Sequence, residues 1–325
     1  MTKLFIIGNG FDVSHSLKTK YEHFKEYLLE KHPEITMDKF VTPTAIHDKD
    51  GGPTYNEVEV LSMLFSLITS AEYSAHIASK NKCIEYNGEW NEIEKSLGEL
   101  DFSEAFDYID DILDKDGDVD LFKTSYVNGD IAAGLVIPTI TIQRYFSEWV
   151  NSISLDSVEP KLDFEKLIIK DDLFLTFNYT ETLQEVYDIS EDNICHIHGR
   201  QGEEIFFGHG NTQYYYEAYM QSHIGSESSL TEIDNQLRKQ TQVALENNLV
   251  FFEQIESENI NEIYSYGFSF SDVDAIYMEE IFRRINTENV IWYLNDYDKE
   301  IIGSQITSLK DLGFKGHFNT FSIKI

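Results

Sequence analysis

The chain has 325 residues, enough to bury a sizeable core, and carries 58 acidic against 25 basic side chains for a net charge of −33. That excess opposes unaided attraction to a phosphate backbone or an anionic membrane, so direct binding to nucleic acid or lipid is not expected. The first apolar run, Leu4-Phe5-Ile6-Ile7, is too short for a signal peptide, and no stretch approaches the length needed to span a bilayer; cytoplasm is the expected compartment.

The first strand is expected near residues 3–8, followed by a tight glycine turn. A helix follows, with Phe24, Tyr27 and Leu28 on one face before Pro33 stops it. Residues 42–54 read as a loop. From there to about Ile153 the pattern is helical, with Leu61, Leu64, Phe65 and Ile68 as one stripe, Trp90, Ile93 and Leu97 as a second, and Phe106, Ile109 and Leu113 as a third. A short strand near Leu135–Ile137 is the one interruption of that pattern. Strand signals resume at Leu162 and run to Phe177. Leu183, Val186 and Tyr187 then mark a helix, and residues 230–255 mark a long amphipathic one. Five apolar runs, ending at Gly8, Asn178, His198, Gly267 and Asn295, have the character of buried parallel strands. The expected fold is therefore α/β, a Rossmann-like parallel sheet flanked by helices with a large helical insertion after the first strand. Its core is expected at residues 1–20 and 160–325 and the mainly helical insertion at 21–159.

In open α/β sheets ligands bind beyond the carboxyl ends of the strands, which makes those five run ends the candidate site. Gly8-Asn9-Gly10-Phe11-Asp12 would let backbone N–H groups approach a pyrophosphate, or serve turn geometry alone; Asp12 suits either a ribose hydroxyl or a helix cap. Asn178, just past a strand, can grip a ribose and orient water, or make an Asx turn. His198, followed by Gly199, has the ordinary pKa of a general base, whereas His196 reads as a packed core histidine. Gly208-His209 is a second glycine turn whose imidazole is a site residue or a turn residue. Gly267, with Ser269 or Ser271, suits a phosphate, and Asp272 suits a helix cap; Asn295 suits a ribose, an adenine edge or a turn. Cys83 and Cys195 allow no disulfide framework, the histidines lack a metal-ligand spacing, and Asp114–Asp118 reads as a solvated acidic turn, so no metal is expected.

The segments FIIGNGFDVSHSLKTKYEHF, LTFNYTETLQEVY, HIHG followed by FGHGN, LRKQT and YGFSFSDVD resemble, in order, the AbiH family of bacterial abortive-infection proteins against phage. More distantly the chain resembles sirtuin-like NAD-binding domains. There GNGFD matches the glycine-rich loop, the Asn178 segment matches the Asn-bearing motif, and His198-Gly199 and YGFSFSD match the His-Gly and late Gly-Ser motifs. The sirtuin-like pattern is broken by Asp12 in place of Ser, by Leu17-Lys18-Thr19 in place of a proline turn, and by the missing four-cysteine zinc module. That resemblance implies an anti-phage protein that hydrolyses NAD. Asn178 and His198 would be catalytic, with Gly8, Asn9, Gly10, Phe11, Asp12, Thr19, Gly208, His209, Gly267, Ser269, Asp272 and Asn295 holding the nucleotide. The alternatives are a non-hydrolytic module sensing an ADP-ribose-like signal and a transferase of ADP-ribose to a macromolecule. Partners consistent with this reading are the nucleotide substrate, a homo-oligomer and a phage-derived trigger.

Overall fold

Every residue of the first strand, β1 (Leu4–Ile7), is buried, and its neighbours explain why. The computed structural model describes residues 2–36, 40–47, 51–78, 92–107, 112–297 and 299–323; Cys83, Trp90 and Ile109 lie outside them. A short antiparallel pair, β2 (Ala45–His47) with β3 (Pro53–Tyr55), lies within the stretch expected to be a loop. The main sheet adds β4 (Leu173–Thr176), β5 (Ile194–His196), β6 (Glu262–Tyr266), β7 (Ile291–Asn295) and β8 (His317–Phe321). These six strands run parallel in the order β5-β4-β1-β6-β7-β8. Chain progression thus moves outward from β1 in one direction and then, from β6, in the other, the doubly wound pattern of a Rossmann-like fold.

Side-chain alternation sends β1 to both faces of the sheet. Leu4 and Ile6 join Leu175, Ile197, Ile263 and Trp292 under helices carrying Phe252, Tyr277 and Ile281. Phe5 and Ile7 join Phe174, Tyr264 and Tyr266 under Phe11, Phe164 and Leu183. Phe5 stacks on Phe174 and on Tyr264 at 5.0 and 5.1 Å, tying three neighbouring strands together. With both faces covered, the strands need apolar residues at consecutive positions, which is why they are visible as uninterrupted runs.

Two units make up the chain. One holds residues 1–20, 149–206 and 240–325, including the whole six-stranded sheet; the other holds 21–148 and 207–239. Among the described residues the second unit is helical apart from β2 and β3, and residues 207–239, read in the sequence as part of the sheet core, belong to it. Its long helix Glu57–Ala78 buries Leu61, Leu64, Phe65 and Ile68 completely. Residues 135–137 lie inside the helix Leu121–Ile140 and form no strand. Leu162–Glu165 is likewise a short helix, with Phe164 as its buried anchor. The amphipathic stretch at 230–255 is divided among three helices, Glu227–Leu237, Thr241–Asn247 and Leu249–Ser257.

Candidate functional site at the carboxyl edge of the sheet

The order reversal between β1 and β6 brings the turns that follow them together. Gly8 N–H donates to Tyr266 O at 3.0 Å and Gly10 N–H donates to Gly267 O at 3.0 Å. A Cβ on Gly8 would lie 2.4 Å from Gly267 O, and one on Gly267, whose φ is +67°, would lie 2.3 Å from Phe11 N. Both glycines are therefore demanded by backbone-on-backbone packing. Because Phe11 N–H also donates to Gly8 O at 2.9 Å, three amide groups read in the sequence as pyrophosphate donors are engaged within the chain. The Phe11 ring is buried against Phe164, Tyr187 and Tyr266. Asn9 is exposed and its Nδ2 donates to Thr19 O at 3.0 Å; Thr19 Oγ1 is buried with no hydrogen-bond partner among the described residues.

Asp12 caps nothing. It lies inside the helix Asn9–Ser14, whose cap is Gly8, and it is 1% exposed. Its Oδ2 accepts from Thr180 Oγ1 and its Oδ1 from Thr182 Oγ1 at 2.9 Å, joining the helix after β1 to the loop after β4. Burial pushes its pKa up to about 6, against the pull of those hydroxyls and of the neighbouring Asn178 amide.

Asn178 is held through its backbone. Its N–H donates to Thr176 Oγ1 at 3.1 Å and its carbonyl accepts from His196 Nδ1 at 3.0 Å, while His196 Nε2 lies 2.8 Å from the donor Gln184 Nε2. Burial lowers the His196 pKa to about 4, so the ring is neutral near pH 7 and the network assigns its proton to Nδ1. His196, read from sequence as core packing, positions Asn178. The side chain of Asn178 is the opposite case: the residue is 6% exposed, yet Oδ1 and Nδ2 are both buried with no hydrogen-bond partner among the described residues. The amide lies close enough to Asp12 to help hold that pKa down, without a hydrogen bond of ordinary geometry. A buried amide left unsatisfied costs on the order of 1–3 kcal/mol per group, so a ligand that pairs with it recovers that energy.

His198 follows β5 and is 2% exposed. Its Nε2 lies 3.2 Å from Tyr277 Oη and 3.4 Å from Asp274 Oδ1, and the Phe177 ring meets it edge-on at 5.3 Å. Asp274 Oδ2 accepts from Ser271 Oγ at 2.8 Å. The imidazole thus faces a hydroxyl and a carboxylate oxygen from the segment after β6. The turn after His198 needs Gly199, which has φ +82° and whose Cβ would sit 1.9 Å from Glu204 O. Phe177 also packs on Phe268 at 4.2 Å, so the loops after β4, β5 and β6 meet around these rings. Phe268 also lines a cavity of about 150 Å³, together with Phe270, Met278, Ser271, Asp272 and Asp274 among others.

The remaining candidates divide. Gly267, Ser269 and Asp272 are exposed in the turn after β6. Asp272 opens the short turn Asp272–Asp274 and caps neither that turn nor the helix Ala275–Arg284. Asn295 ends β7 and its Oδ1 accepts from Tyr297 N–H at 3.0 Å, an Asx turn. Gly208 and His209 lie in the helical unit, where His209 is completely buried, its Nε2 is 3.0 Å from Asp234 O and its Nδ1 accepts from Asn211 N–H at 3.2 Å. A Cβ on Gly208 would lie 2.1 Å from Leu237 O, so this turn is shaped by its own packing. Thr180, Thr182, Asp274 and Tyr277 are the residues that sequence reasoning missed.

Among the described residues no group of three or more His, Cys, Asp or Glu is placed to hold a metal ion, and no helix is long and apolar enough to cross a membrane. The fold and the strand-end cluster define an α/β protein of the Rossmann-like class with a polar site at the carboxyl edge of its sheet. A family model described as bacteriophage abortive infection AbiH matches residues 4–296, and the chain belongs to that family of phage-defence proteins. No curated protein and no solved structure matches it.

Proposed function

We propose that this phage-defence protein binds NAD at the carboxyl edge of its sheet and hydrolyses it to nicotinamide and ADP-ribose. The observation that carries the reading is the Asn178 side chain, a buried amide with a donor and an acceptor both unpaired among the described residues. A ribose hydroxyl supplies both complements. In this scheme Asn178 orients the nicotinamide ribose, and the glycosidic bond breaks with its electron pair leaving on nicotinamide. His198 takes a proton from the attacking water, and Asp274 steadies the resulting imidazolium. The likeness of the strand-end motifs to sirtuin-like NAD-binding domains supports the same assignment.

The burial of His198 favours a second reading, in which the protein senses an ADP-ribose-like nucleotide without turnover. A thermal-shift series with NAD and ADP-ribose, run beside a nicotinamide-release assay, separates them. Hydrolysis predicts nicotinamide release that is lost in Asn178→Ala and His198→Ala; sensing predicts a stabilising shift with no release. Equal release from both variants and the parent would contradict the catalytic assignment.

A further inference from the structure

Four oxygens, the two of the Asp12 carboxyl and two threonine hydroxyls, make three contacts. Thr180 Oγ1 meets Asp12 Oδ2, Thr182 Oγ1 meets Asp12 Oδ1 at 2.9 Å, and the two hydroxyls meet each other at 3.0 Å. Each hydroxyl has one proton to give. With an ionised carboxylate both protons go to Asp12, and the contact between the hydroxyls is left with none. With a protonated carboxyl there are three protons for three contacts, and the ring closes: Asp12 donates to one threonine, that threonine to the other, and the other back to the carbonyl oxygen. We propose that Asp12, Thr180 and Thr182 form a proton-sharing ring that positions the loop carrying Asn178, with Asp12 as a positioning residue that does not itself touch the ligand.

Two further observations agree. Desolvation pushes the pKa of this carboxyl up to about 6, in the direction that favours the closed ring. The groups facing it carry no opposing charge: Asn178 and Thr180 come from the loop after β4, and Thr182 from the start of the helix Thr182–Tyr187 that follows it. On its own helix, His15 is turned to Phe11 O and Tyr187 Oη. His196, from β5, reaches the Asn178 carbonyl, and Tyr266, from β6, bonds Ser14. The ring stands two residues from Asn178, whose backbone is already fixed by Thr176 and His196. Losing one link as the pH rises through about 6 therefore loosens the one side of Asn178 that the strand network does not hold.

Its functional consequence rests on the nucleotide reading above, but the ring is testable without it. In protein labelled at Asp and Asn, NMR follows the Asp12 carboxyl and the Asn178 side-chain amide from pH 5 to pH 8. The carboxyl should titrate near 6, the Asn178 amide signals should move with it, and Asp12→Asn should abolish that movement. Affinity for ADP-ribose should fall about fivefold across the same range, the worth of one hydrogen bond, and be pH-independent in Asp12→Asn. Thr182→Val, which leaves the carboxyl intact, should shift the titration of Asp12. An Asp12 carboxyl that titrates in the ordinary range, or Asn178 signals indifferent to it, overturns the ring. Signals that move together in a protein that binds no nucleotide would support the ring and refute the substrate.

Discussion

The ends of β4 and β7 are alike in sequence and opposite in structure. Each is an apolar strand finishing at or just before an asparagine. At the end of β7, Asn295 closes an Asx turn on Tyr297, and its acceptor is used locally. At the end of β4, Asn178 has its backbone pinned by Thr176 and His196, and the side chain is held in the interior near Asp12 with no hydrogen bond of ordinary geometry among the described residues. The first arrangement satisfies its acceptor within the chain. The second leaves a buried donor and acceptor unsatisfied among the described residues, the feature on which the nucleotide proposal rests.

Three tests, using four substitutions, sharpen the account, beginning with the largest effect. Gly267→Ala drives a Cβ into the backbone of Gly10 and Phe11 at a positive φ, and should lower stability by about 2–4 kcal/mol in urea unfolding. Gly303→Ala, in the helix Ile302–Asp311 that follows β7, meets nothing within 4 Å and should raise stability by about 0.5–1 kcal/mol. Equal effects at the two positions would contradict the close backbone packing of the turn after β6.

The second test concerns pH. The Asp12 pKa is raised on folding from 3.8 to about 6, so its contribution is full below the lower value and is lost as pH rises through the upper one. Asp12→Asn should therefore gain on the parent by on the order of 3 kcal/mol between pH 4 and pH 7.5. His196 acts with the opposite sign. Its pKa falls from 6.5 to about 4, so its contribution is full above the upper value and is lost as pH drops toward the lower. In Asp12→Asn the stability-versus-pH curve should consequently steepen on the acid side. A constant difference between variant and parent would contradict the burial of Asp12.

The smallest effect is at β7. Asn295→Ala removes one turn hydrogen bond and should cost about 0.5–1 kcal/mol with no change in nucleotide affinity.

Much of this architecture is legible in the residues, for identifiable reasons. Strands covered on both faces must be apolar throughout, which exposed β1, β4, β5, β6 and β7 as runs. The edge strand β8, His317–Phe321, has no fully buried residue and alternates too weakly to be seen. The glycine turns were legible as turns, but their purpose was not. Whether Gly8 faces a phosphate or Gly267 depends on a neighbour hundreds of positions away, and the partners of Asp12 lie 168 and 170 residues along the chain. Sequence also cannot separate Asn178 from Asn295, because an unpaired amide is recognised only after its surroundings have been counted. The pattern Asn178-x-Thr180-x-Thr182 was the one local signal available: alternating hydroxyls after a strand, able to converge on a single acceptor.

The central claim is that the Asn178 amide is kept unpaired for a nucleotide, and calorimetric titration of NAD and ADP-ribose into the parent protein and Asn178→Ala tests it most directly. Saturable binding to the parent, weakened about 30- to 100-fold in the variant while its unfolding midpoint is unchanged or higher, is the predicted result. Equal affinity in both proteins, or no binding to the parent, would contradict it.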